Sequence, residues 1–192
     1  MATMNTAQVG VGAAAATGAI WVAPLGTTLP TDATTAFSSP WTLLGFTSDA
    51  GVQISESSSN DAIRAWEGRT EVYNVRTEYT ESVSFMPIQC NGDVAKLIWG
   101  DDMVTVDGDG NIHATPHGGT LDPVCIILET TPRETIVKRY CMTAQLTERG
   151  EVTMDGTQVD GRQLTFNAIA DTNGVTMHEY TAFVTGATGA TS

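Results

Sequence analysis

The chain has 192 residues, a net charge of −13 and only 16% charged side chains. That length is enough for one domain that folds without disulfides or metals as staples. The acidic balance excludes ordinary nucleic-acid binding, which needs Lys and Arg against phosphates, and docking on anionic membranes.

Residues 1–17 (MATMNTAQVGVGAAAAT) are small and featureless and read as a flexible N-terminal arm. They carry no basic residue and no long apolar core, so no signal peptide is expected. GAIWVAPL is a short strand ended by Pro24, and a long Pro/Thr/Ser/Gly connection follows to Pro40. WTLLGF and GVQISES read as a strand pair around Ser48–Gly51. The serine run 57–59 reads as a pliable exit from the second of these strands. In NDAIRAWE, Asn60 or Asp61 is placed to cap one helical turn, with Ile63 and Trp66 on one side and Arg64 and Glu67 on the other. Trp and Arg together are the residue types of interface hot spots. The competing reading is that Trp66 closes a local core.

TEVYNVRTEYTESVSF alternates with period two over more than a dozen residues. One face is expected to carry Tyr73, Val75, Tyr79, Val83 and Phe85. The other is expected to carry Asn74, Arg76, Glu78, Thr80, Ser82 and Ser84. NGDVAKLIWG is a helix: Asn91 caps it, Asp93 sits in its first turn, Val94, Leu97 and Ile98 share a face, and Gly100 stops it. MVTVDG, LDPVCIILET, TIVKRYCMTAQL, RQLTFNAIA and MHEYTAFV are strand-like, separated by Gly/Asp/Asn turns. In the second half, Ile136, Tyr140, Met142, Ala144 and Leu146 alternate against Arg139, Thr143, Gln145 and Thr147. The expected fold is mainly β: two packed antiparallel sheets, sandwich or barrel-like, with one short flanking α-helix. It forms a single domain over 18–185, followed by a short flexible tail at 186–192.

Chemistry is sparse. Asp107, Asp109 and Asn111 have the odd-position spacing of a calcium loop. The Gly and Glu that such a loop needs are replaced by Ile112 and Gly118, so a turn between strands explains them. His113 and His117 are four apart, but Pro116 between them prevents a helix from holding both toward a metal. His178 stands alone on a strand. No GxSxG, P-loop or GxGxxG occurs, and Ser57–Ser59 lack the setting of a nucleophile. Cys90, Cys125 and Cys141 are odd in number and form no CxxC; Cys125 and Cys141 lie in apolar runs and read as buried free thiols. No catalytic residue, metal or cofactor is assigned.

Several segments taken together resemble the major tail tube protein of long-tailed, non-contractile bacteriophages, the siphovirus type, especially versions from actinobacterial phages. These are AIWVAPLGTTLPTDATT, WTLLGFTSDAGVQISESSSNDAIRAWEG, VYNVRTEYTESVSFMPIQ and the helix NGDVAKLIWG, covering roughly residues 15–105. The second half matches mainly in its richness in strands. The resemblance implies a non-enzymatic structural subunit of the virion tail, assembled in the host cytoplasm. It implies hexameric rings stacked into a hollow tube, with inward strands joined into a barrel around the channel. Implied partners are further copies of the chain, the tape measure protein in the lumen, and the tail terminator and distal tail or baseplate proteins. Phage DNA would pass through without specific binding, and no membrane is involved. An extra C-terminal immunoglobulin-like domain, carried by many members, is not expected here. On this reading Asn60, Asp61, Ile63, Arg64, Trp66 and Glu67 are candidates for the subunit interface. Asn74, Arg76, Glu78, Thr80, Ser82, Thr143 and Gln145 are candidates for the lumen. The alternative is a β-sandwich virion module that binds carbohydrate or a receptor, which would want aromatics clustered on one sheet face.

Overall fold

A computed structural model describes residues 9–184 apart from 16, 17, 117, 153, 155, 157 and 158. The strands are β1 (Ile20–Pro24), β2 (Thr42–Leu43), β3 (Thr47–Arg64), β4 (Glu71–Pro87), β5 (Val104–Val106), β6 (Ile112–Ala114), β7 (Val124–Arg133), β8 (Ile136–Arg149), β9 (Leu164–Ile169) and β10 (His178–Phe183). One α-helix, α1, spans Gly92–Trp99. The large sheet is antiparallel throughout, in the order β2-β1-β7-β8-β9-β4-β3, and β10 pairs with β8 beyond the end of β9. The second sheet is the β5–β6 hairpin. The fold is therefore mainly β with one helix, as the alternation and turn spacing predict.

The alternation in β8 explains the core. Met142 and Ala144 point to one face and pack with Ile126 and Leu128 of β7, Phe166 of β9, and Val83 and Phe85 of β4. Phe85 and Phe166 stack with centroids 5.5 Å apart. Helix α1 covers this face with Val94 and Leu97. Its start is fixed by Asn91, whose side chain accepts from the Val94 amide at 2.7 Å and donates through Nδ2 to the Leu44 carbonyl. Gly100, at φ 93°, ends it in a conformation other residues resist.

The opposite face is closed over β1, β7 and the start of β8 by the 25–41 connection. Arg139, 3% exposed, is the buried charge there. Its guanidinium donates from Nη2 to Glu129 at 2.7 Å and from Nη1 to the carbonyls of Asp32 and Thr35, both at 3.0 Å. It also lies 4.2 Å over the Phe37 ring, which itself packs on Trp21. Asp32 in turn accepts the amides of Thr34 and Thr35 and the Thr35 hydroxyl, led by the last, and these hold its carboxyl well below the usual carboxylate range.

Three sequence expectations are corrected. WTLLGF and GVQISES do not pair: β2 pairs with β1 and β3 pairs with β4. The serine run is strand, with Ser57, Ser58 and Ser59 opposite Thr80, Tyr79 and Glu78. Asn60–Arg64 is also strand and not a helical turn, because a partner strand runs alongside it as far as Glu71. The ladder supplies the hydrogen bonds that the local sequence would otherwise seek from a cap. Of the expected N-terminal arm, residues 9–15 are described and run beside the end of β7, with Val11 donating to the Pro132 carbonyl and Ala13 accepting from Thr131. Residues 186–192 lie outside the described residues.

Candidate functional site

Strand β9 pairs with β4 only over Ser82–Phe85. From Glu81 outward β4 has β3 as its sole strand partner among the described residues, so residues 71–81 and the facing part of β3 form a two-stranded ribbon outside the main sheet. At about 3.4 Å per residue this arm of β4 is roughly 35 Å long. Its turn is made by Trp66–Arg69, with Gly68 and Arg69 at φ 68° and 55° and the Ala65 amide donating to the Thr70 carbonyl. A bare two-stranded hairpin is marginal in water. This one nevertheless leaves Trp66 95%, Tyr73 66%, Val72 59% and Ile63 52% exposed. The alternative in which Trp66 closes a local core is thereby excluded.

The pairing register holds a further correction. Ser59 faces Glu78, but Asn60 faces Arg76, so Thr77 is an extra residue: a β-bulge. A bulge reverses which face the following side chains take, while the partner strand keeps its own alternation. Tyr73 and Val75, paired with Ile63 and Asp61, thus lie on the face opposite Tyr79, Val83 and Phe85. Asn74 and Arg76 likewise leave the face of Glu78, Thr80 and Ser82. The guanidinium of Arg76, 4.8 Å over the Tyr79 ring, fits that assignment. Strict alternation therefore describes the sequence of β4 but not its faces.

Two surfaces result. Near the body, the face away from α1 carries Ser55, Ser82, Asn167 and Gln145 in one row across four strands, and Gln53, Ser84 and Thr165 in the next. The first row contains no ionisable side chain; the second runs on to Glu148 of β8, opposite Thr165. Of the seven lumen candidates, Glu78, Thr80, Ser82, Thr143 and Gln145 share this face, and Asn74 and Arg76 do not. Farther out, beyond the bulge, the same face becomes apolar with Ile63, Tyr73 and Val75, and the turn adds Trp66. Of the six interface candidates, Ile63 and Asp61 are on this distal face. Asn60 and Arg64 are on the reverse, with Arg64 3.9 Å from Glu71, and Trp66 and Glu67 form the turn. Sequence reading missed Tyr73, Val75 and Val72 as part of this patch; the GR pair at 68–69 between two alternating runs is the hairpin signal that would have grouped them.

The base of the ribbon is fastened by Glu81. Tyr79 donates its hydroxyl to Glu81 Oε1 at 2.6 Å, and the Thr176 hydroxyl donates to Oε2. Giving up this donor to a carboxylate pushes the Tyr79 phenol up to about 12.

Elsewhere the polar clusters are structural. Asp107 accepts the amides of Asp109 and Asn111 and the Asn111 side chain, with Asn111 the main cause of its lowered pKa; it shapes the β5–β6 turn. His113 is on β6, opposite Thr105, and His117 lies outside the described residues. His178 stacks with Tyr180 and approaches Asp171 at 3.6 Å. No helix among the described residues is long and apolar enough to cross a membrane.

A family model described as phage tail tube protein matches residues 2–182. The chain belongs to that family. No curated protein matches it. As a phage tail tube protein it is a structural part of the virion tail.

Proposed function

We propose that this tail tube protein assembles into hexameric rings that stack into a hollow tube, through which genomic DNA is delivered in a phage of the long-tailed, siphovirus type. The observation that carries this reading is the ribbon: an extended, two-stranded arm with four large apolar side chains more than half exposed has no partner among the described residues of its own chain. A neighbouring copy supplies one. Asn60, Asp61, Ile63, Arg64, Trp66 and Glu67, joined by Val72 and Tyr73, form that contact.

The hydroxyl and amide rows, Gln145 among them and Glu148 at the end of one, then line the channel with Glu78, Thr80 and Thr143 around them. Such a lining neither holds phosphates, as a basic one would, nor presents an apolar wall to water. β3, standing at the edge of the sheet, offers its unpaired edge to the next copy, which removes the exposed edge. The tape measure protein occupies the lumen before DNA, and the tail terminator and distal tail or baseplate proteins close the two ends.

The competing binding-module reading wants an aromatic platform. Trp21 and Trp41 instead pack on Phe37, and Trp99 lies beneath Arg149 and Arg162, so only Trp66 of the four tryptophans is on display. Negative-stain microscopy of the concentrated protein tests the proposal. Hollow tubes or six-fold rings are expected; monomers that persist at high concentration and bind glycans would refute it.

A further inference from the structure

Resting on the reading that copies stack, we propose that the ribbon tip of one copy seats in a groove at the far end of the sheet of the next copy. The groove has a volume of about 700 Å³ and lies between α1, the end of β1 and the segment leading into β7. Its apolar wall includes Leu25, Leu97, Leu121 and Leu146. Its rim carries Asp93, Asp102 and Asp122; a further acid, Asp101, is already matched by Lys96 at 3.1 Å.

Charge and shape both favour the tip as occupant. Residues 62–77 hold three arginines against two glutamates, a net positive stretch in a chain of net charge −13. Arg64 and Glu71 face each other, which leaves the Arg69 side chain without a hydrogen bond or ion pair among the described residues. Beside it stands Trp66, almost wholly exposed. An indole buries about 200 Å² when covered, and the groove has room for it. Most other surfaces of so acidic a chain would be repelled by three carboxylates; this one is attracted.

Strand direction supplies the geometry. Strands β1, β4 and β8 run in one sense, since each is separated from the next by a single antiparallel strand. The ribbon leaves from the start of β4. The groove is lined by Pro24, the last residue of β1, and by Asp122–Val124 at the entry to β7, which are at the other end of these strands. Tip and groove therefore occupy opposite ends of one molecule. A contact between them is head-to-tail, and it propagates along an axis instead of closing a pair.

The test pairs Glu67→Cys with Leu25→Cys in a Cys90→Ser background, assembles tubes and oxidises them. A ladder of covalently linked chains, absent from either single variant, is expected. Tubes that form normally but give no ladder would overturn the assignment while leaving stacking intact; a wild-type chain that never forms tubes overturns stacking itself and the assignment with it. As a second measurement, Trp66→Ala should keep the monomer folded and raise the concentration needed for tube growth about ten-fold or more. Growth at the wild-type concentration would count against the groove.

Discussion

The body of the sheet and the ribbon are made by the same strands but obey different rules. In β4, Val83 and Phe85 are completely buried, whereas ten residues farther out Tyr73 is two-thirds exposed on a strand of the same alternating composition. The body is held by its own contacts: two sheet faces, one covered by α1 and one by the 25–41 connection. Beyond its ladder and the contacts between its own two strands, the ribbon has, among the described residues, the Glu81 fastening at its base. Apolar residues in the first region stabilise the monomer; in the second they lie in solvent. Substitutions should therefore separate into two classes, and their separation is the measurement that matters.

The largest effect is expected in the body. Glu129→Ala strands the buried Arg139 without its carboxylate, which costs about 3–5 kcal/mol; Phe166→Ala, which empties the stack under Phe85, costs about the same. Both should appear as lowered midpoints in urea unfolding of the monomer. Ile63→Ala and Tyr73→Ala belong to the other class. They should change monomer stability by no more than about 0.5 kcal/mol, as surface substitutions do, while sharply reducing tube formation followed by light scattering. Equal losses in both assays would erase the distinction drawn here.

Inserting one residue between Ser59 and Asn60, opposite Thr77, probes the boundary between the two regions. Giving Thr77 a partner removes the bulge, restores simple alternation and sends Ile63, Tyr73 and Val75 to the reverse face. The expected outcome is a folded monomer, by near-ultraviolet circular dichroism, that no longer assembles.

An acid effect should be confined to the body. The folded pKa of Asp32 is depressed, so its contribution is complete above the unfolded carboxylate value, about 4, and is lost as pH falls below it toward the folded value. Acid should loosen the 25–41 connection over Arg139, and Asp32→Asn should flatten that acid limb of the stability profile. The smallest effect is chemical. The Cys141 thiol is pushed up to about 12 by burial and Cys125 is also buried, so a thiol reagent should label Cys90 alone in the native protein and all three thiols only on unfolding.

The body was the more legible region for a physical reason. In β8 the residues Tyr140, Met142 and Ala144 alternate because one face meets a core, and a core writes its period into the sequence. The helix was readable from Asn91 and Gly100, since caps are chemical requirements of a helix end. In the ribbon no core dictates residue type. SESSSNDAIR carries weak strand propensity, and its conformation is set by the partner across the ladder, which no local pattern reveals. The bulge at Thr77 is less visible still, because an extra residue leaves alternation in the sequence untouched while changing its meaning in space. The exposed anchor at Trp66 was legible as a residue type; the patch around it needed the register.

The sheet has two very unequal margins. β2, at one edge, is two residues long; β3, at the other, is eighteen, and among the described residues nothing pairs with its outer side. A free subunit thus carries a long adhesive border through its whole life before assembly. Copies of net charge −13 repel one another, which opposes contact between such borders. That repulsion reaches about 30 Å in 0.01 M salt and about 8 Å at physiological ionic strength. The border and the charge act in opposite directions, so added salt should shift free subunits toward contact with one another.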